Sequence, residues 1–357
     1  MTKARGRLLL TLVSIAIAIV AAEGLFRVRL AAEDAPGSDD DWRARYRRMN
    51  ETIYRRSDDP ELVYEPTPSS SVEMEYGLAG FNAAGMRDDR EHPRESDRRR
   101  LALVGDSIVW SEFLALHDSL GRRTEEALGD GWDVLNFGVT GYDTAQEARW
   151  YRRAVRPFAP DAVLVVWCMN DVMIMSGPFE RYANPADRAR KDAQEAHIER
   201  VASVRRETID GVLEEREREA PIKVLARALG LVERWRFDDA YVDEYLVMFR
   251  ARERRTRVRR ALNALASDIL ADGAKPLLLI SPVLEAWDGY HWGAIHEWVR
   301  ETAEDAGFTV IDPLEAWRGA HDPEELRISG DNLHYDGSGN RVLGRTIADA
   351  VREAMRE

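Results

Sequence analysis

From residue 100 onward, short apolar runs alternate with longer charged segments, and this alternation constrains the fold more than any other feature of the sequence. The apolar runs are rich in β-forming residues and nearly continuous, as in strands that are buried on both faces of a sheet. The segments between them have the periodicity of helices. Because strands that alternate with helices form parallel β-α-β units, the sequence predicts a three-layer α/β/α sandwich around a parallel sheet.

The boundaries of these elements follow from the ends of the apolar and periodic segments. The predicted strands are Leu101–Gly105, Val134–Phe137, Ala162–Trp167, Pro276–Ser281 and Phe308–Asp312. The predicted helices are Phe113–Leu128, Thr144–Val155, Tyr241–Ala271, Tyr290–Ala306 and Gly337–Arg356. Thr144 and Glu147 have the spacing of a capping box, which marks the start of one helix.

Composition excludes several classes of protein. The chain has 357 residues, of which 45% are hydrophobic and 32% are charged, so it can bury a core without a disulfide or a metal ion. Its formal net charge of -13 argues against a general nucleic-acid binder. The single cysteine, Cys168, excludes an intramolecular disulfide and any multi-cysteine zinc or iron–sulfur site.

The amino terminus has the pattern of a membrane-targeting segment. Lys3, Arg5 and Arg7 precede an apolar stretch over residues 8–26, in which Leu8–Ala22 has no charged residue. This stretch is either an uncleaved transmembrane anchor or a cleaved signal peptide. In both cases the basic residues stay in the cytoplasm, and the rest of the chain lies outside it, in the periplasm or the exterior.

The remaining organisation follows from this reading. We predict a cytoplasmic tail over residues 1–7 and a polar linker over residues 27–60, followed by one domain over residues 61–357. Within that domain, residues 172–275 break the strand–helix rhythm and are dense in Arg and Glu. We interpret them as a helical insertion on the carboxyl-end side of the sheet, with either solvated helix faces or a partner-binding surface.

Polar groups suited to chemistry follow the predicted strands. Ser107 comes after the first strand, Gly138 after the second and Asn170 after the third, while Asp331 and His334 precede the last helix. In an open parallel sheet, ligands bind outside the carboxyl ends of the strands. Four distant segments therefore converge on one edge of the sheet.

This set of groups matches the needs of acyl transfer. A serine hydroxyl such as that of Ser107 needs a base, and His334 can serve because its unperturbed pKa is near 6.5. Asp331 is close enough in a turn to hold the other ring nitrogen. The developing oxyanion needs donors, which the amides of Ser107 and Gly138 and the side chain of Asn170 can supply.

Three other carboxylates lie near these residues. Asp106 is interpreted as a structural group that bonds nearby backbone amides, and Asp171 as a structural carboxylate. Asp336 is the alternative to Asp331 as the acid of the triad, although Asp336 is also placed to cap the last helix.

These blocks resemble the SGNH (GDSL-type) hydrolase family, named for its serine, glycine, asparagine and histidine. The resemblance runs from about residue 100 to 355, and residues 81–91 also resemble a segment found in membrane-anchored members. The blocks are LALVGDSIVW at 101–110, VLNFGVTGYDT at 134–144, VLVVWCMND at 163–171, GDNLHYDGSGNRVLG at 330–344 and FNAAGMRDDRE at 81–91. Ser111 departs from the pattern, because many members have glycine there.

The resemblance implies the SGNH hydrolase fold, with a flavodoxin-like sheet, and ester chemistry without a metal or an organic cofactor. It implies Ser107 as nucleophile, Ser107, Gly138 and Asn170 as oxyanion donors, and Asp331 and His334 as the rest of the triad.

The function predicted is a membrane-anchored serine esterase that hydrolyses a short acyl ester, such as acetyl, on an envelope glycan or lipid. Two alternatives stay open. One is an acyltransferase that moves the acyl group to a sugar hydroxyl. The other is a non-catalytic scaffold that binds a partner through residues 172–275.

Overall fold

The computed structural model describes residues 38–173, 181–189, 191–193, 196 and 249–356. The predicted tail over residues 1–7, the predicted anchor or signal peptide over residues 8–26 and most of the predicted insertion lie outside the described residues. In the part of the chain that is described, no helix combines the length and the apolar character needed to cross a bilayer.

The chain divides into two compact units, residues 1–48 and residues 49–357. In the first unit, Trp42 stacks on Tyr46 with their ring centroids 5.2 Å apart. In the second unit, Met49 and Tyr54 are buried. Packed structure in the second unit therefore begins within the range predicted as a linker, because these apolar side chains are part of its core.

The second unit begins with two small antiparallel sheets. Helix α1 (Ser38–Ile53) leads into strand β1 (Tyr54–Arg56), which pairs with β2 (Tyr64–Pro66). Strand β3 (Ser70–Met74) pairs with β4 (Gly77–Phe81).

A five-stranded parallel sheet forms the centre of the fold, which confirms the predicted class. Its strands, all parallel, have the spatial order β6-β5-β7-β8-β9. They are β5 (Arg99–Val104), β6 (Trp132–Asn136), β7 (Ala162–Trp167), β8 (Lys275–Ile280) and β9 (Thr309–Ile311). Every residue of β7 is buried, as expected for a central strand that is covered on both faces.

Helices cover the two faces of this sheet. The α-helices are α2 (Ser107–Trp110), α3 (Leu120–Leu128), α4 (Thr144–Trp150), α5 (Arg252–Ala271), α6 (Gly293–Ala306), α7 (Leu314–Arg318) and α8 (Gly337–Ala354). Short turns of other helix types are Leu116–Asp118, Tyr151–Val155, Arg156–Phe158, Met169–Val172 and Pro323–Glu325. Helices α3 and α8 pack together over one part of the core, while α5 contacts α4, α6 and β8. The result is the predicted three-layer sandwich.

The start of α3 and the capping box of α4 differ from the prediction, and α6 begins at Gly293 rather than at Tyr290. The helix expected from Phe113 begins at Leu120, because Ser111 and Phe113 have left-handed φ angles of 60° and 66° that no helix accommodates. Helix α4 does begin at Thr144, but its capping box consists of Asp143 and Gln146.

Candidate active site

Ser107 lies at the carboxyl end of β5, where the chain turns directly into α2. Oδ1 of Asp106 accepts a hydrogen bond from the amide of Ile108 at 2.9 Å and so caps this short helix. Ser107 is the first residue of the helix, where the amide has no acceptor one turn earlier in the chain. The amide of Ser107 therefore lies outside the helical ladder, and Oγ of Ser107 lies 3.3 Å from Oδ2 of Asp106.

His334 connects Ser107 to Asp331 by hydrogen bonds through both of its ring nitrogens. Nε2 of His334 lies 2.8 Å from Oγ of Ser107, and Nδ1 lies 2.7 Å from Oδ2 of Asp331. The other carboxylate oxygen of Asp331 accepts the amides of Leu333 at 2.8 Å and His334 at 3.0 Å. The turn over residues 331–334 therefore fixes the carboxylate and the imidazole in one orientation, with Nδ1 placed to donate to Asp331 and Nε2 placed to accept from Ser107.

Asp336, the alternative acid, is used as a helix cap. One oxygen of its carboxylate accepts the amides of Ser338 and Gly339, both at 2.8 Å, at the start of α8. Of the two candidate acids, the structure thus brings Asp331 to the histidine.

The surroundings of His334 make it more basic than a free imidazole. Burial by itself lowers the pKa of His334, but the hydrogen bond to Asp331 and the negative charges of Asp331, Glu112 and Asp106 outweigh it and raise that pKa to about 9. The pKa of Asp331 is lowered in turn. Burial by itself raises this pKa, but the hydrogen bond and the charge of His334, together with two backbone amides that donate to the carboxylate, lower it by more. The two groups therefore stabilise each other as an ion pair.

Asn170 reaches the site from the short turn Met169–Val172 after β7. Its Nδ2 donates to Oδ2 of Asp106 at 2.7 Å, which occupies one of the two amide hydrogens, and the second has no acceptor among the residues that the structure describes. Asp106 thus holds the start of α2 through Ile108 and the side chain of Asn170 at the same time. The structural role of Asp106 therefore includes a side chain of the site as well as the backbone amide that the sequence predicted.

Gly138 does not offer a free amide. Its N–H donates to Oδ1 of Asn136 at 3.0 Å, so it is already engaged. A Cβ at this position would lie 2.3 Å from the backbone nitrogen of Trp110 and 2.7 Å from the carbonyl carbon of Val109. Glycine is therefore required at this position for close packing of the loop against α2, and the role of Gly138 as an oxyanion donor stays a prediction.

Gly141 is the residue in the same loop that sequence reasoning missed. The φ angle of Gly141 is 77°. Gly141 is half-buried, whereas Gly138 is buried. Among the residues that the structure describes, the amide of Gly141 has no hydrogen-bond acceptor. The sequence VLNFGVTGYDT contains both glycines without distinguishing them, and only the left-handed φ singles out the second.

The loop that carries both glycines is held by the hairpin of strands β1 and β2 (residues 54–66), which we call the amino-terminal hairpin. The hydroxyl of Tyr64 donates to the carbonyl of Thr140 at 2.7 Å, and the amide of Thr140 donates to the hydroxyl of Tyr54 at 3.2 Å. The hydroxyl of Tyr142 donates back to the carbonyl of Tyr64 at 2.5 Å. Strands β1 and β2 are thus part of the scaffold of the site.

A group of buried acids lies behind Asn170. Oδ2 of Asp171 accepts the amide of Cys168 at 2.6 Å, in keeping with a structural role. Burial, together with neighbouring carboxylates, raises the pKa of Asp171 and of the fully buried Glu147. Burial likewise raises the pKa of the Cys168 thiol, which makes it a poor nucleophile. In the described part of the chain, no cluster of His, Cys, Asp and Glu is arranged to hold a metal ion.

One family model and several solved structures match this chain. The model of the GDSL-like lipase/acylhydrolase family matches residues 103–342. The lipase/acylhydrolase of Enterococcus faecalis is 15% identical, with 71% of this chain and 96% of that chain covered and a TM-score of 0.41. Est24, a carbohydrate acetylesterase from Sinorhizobium meliloti, is 12% identical, with 72% and 99% covered and a TM-score of 0.39.

A third structure, the aryl esterase of M. smegmatis, is 13% identical, with 72% of this chain and 99% of that chain covered and a TM-score of 0.40. No curated protein matches the chain.

Proposed function

Since the chain belongs to the GDSL-like lipase/acylhydrolase family and is a hydrolase of ester bonds, we propose that it works as a serine esterase with Ser107 as its nucleophile. The observation that carries this proposal is the unbroken path of hydrogen bonds from Oγ of Ser107 through His334 to Asp331, at 2.8 and 2.7 Å. Three groups from two distant segments of the chain meet in the order that acyl transfer needs.

In the proposed reaction, Oγ of Ser107 attacks the ester carbonyl while its proton passes to Nε2 of His334. The imidazolium is stabilised by Asp331 at Nδ1. It then returns the proton to the leaving alcohol as the tetrahedral intermediate collapses to an acyl-enzyme. Water, activated by the same imidazole, releases the acid and restores Ser107.

The oxyanion of the intermediate needs donors that are in place before the reaction. We assign the amide of Ser107 and the second hydrogen of the Asn170 side chain to this role. From the loop after β6 we assign the amide of Gly141, since that of Gly138 is bound to Asn136.

A fluorophosphonate probe tests the nucleophile. We expect the wild type to be labelled and to hydrolyse p-nitrophenyl acetate, and Ser107→Ala to lose both. Ser71→Ala, an exposed serine on β3, is the matched control and should keep both. A folded wild type that resists labelling would favour the non-catalytic scaffold instead.

For the substrate we propose a short acyl ester, such as acetyl, on an envelope glycan or lipid. The support is the amino-terminal pattern, which predicts export of the domain. Purified protein should release acetate from acetylated glycans or lipids, measured as a loss of mass of the substrate. Transfer of the acetyl group to an added sugar acceptor, with no free acetate, would identify an acyltransferase.

For localisation we propose that residues 8–26 hold the chain in a membrane with the catalytic domain outside the cytoplasm. The full chain should fractionate with membranes and be digested by protease added to the outside. Deletion of residues 1–30 should give a soluble and active domain. Recovery of the full chain in the cytosolic fraction would contradict the proposal.

A further inference from the structure

A second carboxylate approaches the histidine from the side opposite Asp331. Oε2 of Glu112 lies 3.8 Å from Nε2 of His334, the nitrogen that faces Ser107. The Glu112 side chain is only 5% exposed. A buried carboxylate this close to the proton-accepting nitrogen acts on it through a medium of low polarity, where charge interactions are strong.

The backbone around Glu112 is held in an unusual conformation. Ser111 and Phe113, the residues on either side of it, both have left-handed φ angles, of 60° and 66°. The amide of Glu112 donates to the carbonyl of Ser107 at 3.0 Å, and the ring of Phe113 meets that of His334 edge to face at 5.7 Å. Left-handed non-glycine residues are costly and concentrate at functional sites. Here they direct a single acidic side chain toward the base.

Other charged and titratable groups lie close to Glu112. Glu112 is close to the buried Arg87, whose guanidinium lies 4.2 Å over the ring of Trp110, and to the hydroxyls of Tyr54 and Tyr76. Burial lowers the pKa of Arg87 to about 10, so Arg87 still carries its positive charge at neutral pH.

His334 itself is faced by carboxylates from three elements. They are Asp331 from its own turn, Asp106 from the start of α2, and Glu112 from the turn that follows α2.

We propose that Glu112 is a positioning residue of the base, which stabilises the positive charge of His334 from the Nε2 side while Asp331 stabilises it from the Nδ1 side. This inference rests on the proposed function, in which His334 takes the proton of Ser107. When Nε2 is protonated, the imidazolium lies between two carboxylates. The transition state gains more from Glu112 than the ground state, in which the ring is neutral.

Glu112→Gln tests the role, because it removes the charge and keeps the shape. We expect the midpoint of the acid limb of kcat/KM to move to lower pH by about one unit, since a negative charge that favours imidazolium is lost. The plateau at high pH should fall roughly tenfold. At pH 6 the loss should shrink or vanish, because more of the variant's imidazole is neutral there.

Two variants serve as controls for Glu112→Gln. Glu112→Asp keeps the charge and should keep the midpoint near that of the wild type. Glu297→Gln makes the same chemical change at an exposed position of α6 and should alter nothing. If Glu112→Gln does not fold, Glu112→Asp and Glu112→Asn give the same comparison with a shorter side chain. An equal loss of activity at every pH would overturn the proposal, because it would indicate a purely structural role.

A readout without turnover separates this inference from the proposed function. In Ser107→Ala, the His334 imidazole can be titrated by NMR with and without Glu112→Gln. A lower midpoint when the charge is removed supports the role of Glu112. An unchanged midpoint rejects the role of Glu112, even if the wild type is an active esterase. Absence of labelling and turnover in the wild type would instead reject the proposed function.

Discussion

Oδ2 of Asp331 lies 2.7 Å from Nδ1 of His334, within a single turn of four residues. Asp336, only two residues beyond the histidine, uses its carboxylate for the first amides of α8 instead. Two aspartates that are nearly equivalent in sequence therefore have different physical tasks, and substitutions should separate them.

We expect Asp331→Asn to lower kcat by roughly 10³- to 10⁴-fold, because an amide cannot stabilise the imidazolium. Asp336→Ala should instead cost about 1 kcal/mol of folding free energy through loss of the helix cap, and leave kcat nearly unchanged. Esterase assays and thermal unfolding of both variants check this. A large loss of kcat in Asp336→Ala, with Asp331→Asn active, would reverse the assignment.

The pH profile should be more alkaline than an ordinary histidine predicts. The reaction needs the neutral imidazole, and the raised pKa of His334 keeps it protonated until pH rises through about 9. Between pH 6 and pH 8, kcat/KM should therefore increase about tenfold per unit of pH. A plateau reached by pH 7 would show that the carboxylates around His334 do not act on it as the geometry indicates.

The sheet could be predicted from the sequence because most residues of β5, β6, β7 and β8 are buried and these strands appear as nearly continuous apolar runs. Ser107, Asn170, Asp331 and His334 were found because each follows a strand or precedes a helix in a recognisable block. The glycine of the oxyanion loop could not be chosen in this way. The difference between Gly138 and Gly141 lies in backbone angles and in one hydrogen bond to Asn136, neither of which has a sequence signature.

The same limit applies to contacts between distant segments. Tyr54 and Tyr64 lie in a range that has no obvious site motif, and their bonds to Thr140 span 86 and 76 residues. The sequence did not indicate Glu112 for another reason. The helical periodicity after Phe113 predicted a continuous helix, whereas the residues on either side of Glu112 have left-handed φ angles.

Gly138→Ala should destabilise the fold. A methyl group there would overlap the backbone of Val109 and Trp110, next to the helix that carries Ser107. We expect a loss of roughly 3 kcal/mol, at the upper end of overpacking costs, seen as a lower midpoint of thermal or urea unfolding. Gly319→Ala is the matched control, since nothing lies within 4 Å of its Cβ position. Unchanged stability of Gly138→Ala would mean that the loop moves freely, and Gly138 would again be available as a donor.

Tyr64→Phe tests whether the amino-terminal hairpin positions the oxyanion loop. The substitution removes the hydroxyl that donates to Thr140 at 2.7 Å and keeps the ring. Folding should weaken by about 1 kcal/mol, as for other buried hydrogen bonds. Because the loop carries a donor needed only in the transition state, kcat should fall several-fold while KM stays near its original value.

Tyr151→Phe provides the comparison, because it removes a hydroxyl bonded to Asp272 at 2.8 Å, away from the loop. This variant should lose similar stability and retain kcat. If both variants lose stability and neither loses kcat, the hairpin supports the fold alone. A loss of kcat in Tyr64→Phe that Tyr151→Phe does not share would instead establish that the segment before the sheet helps to build the site, because the hydroxyl of Tyr64 donates to the loop.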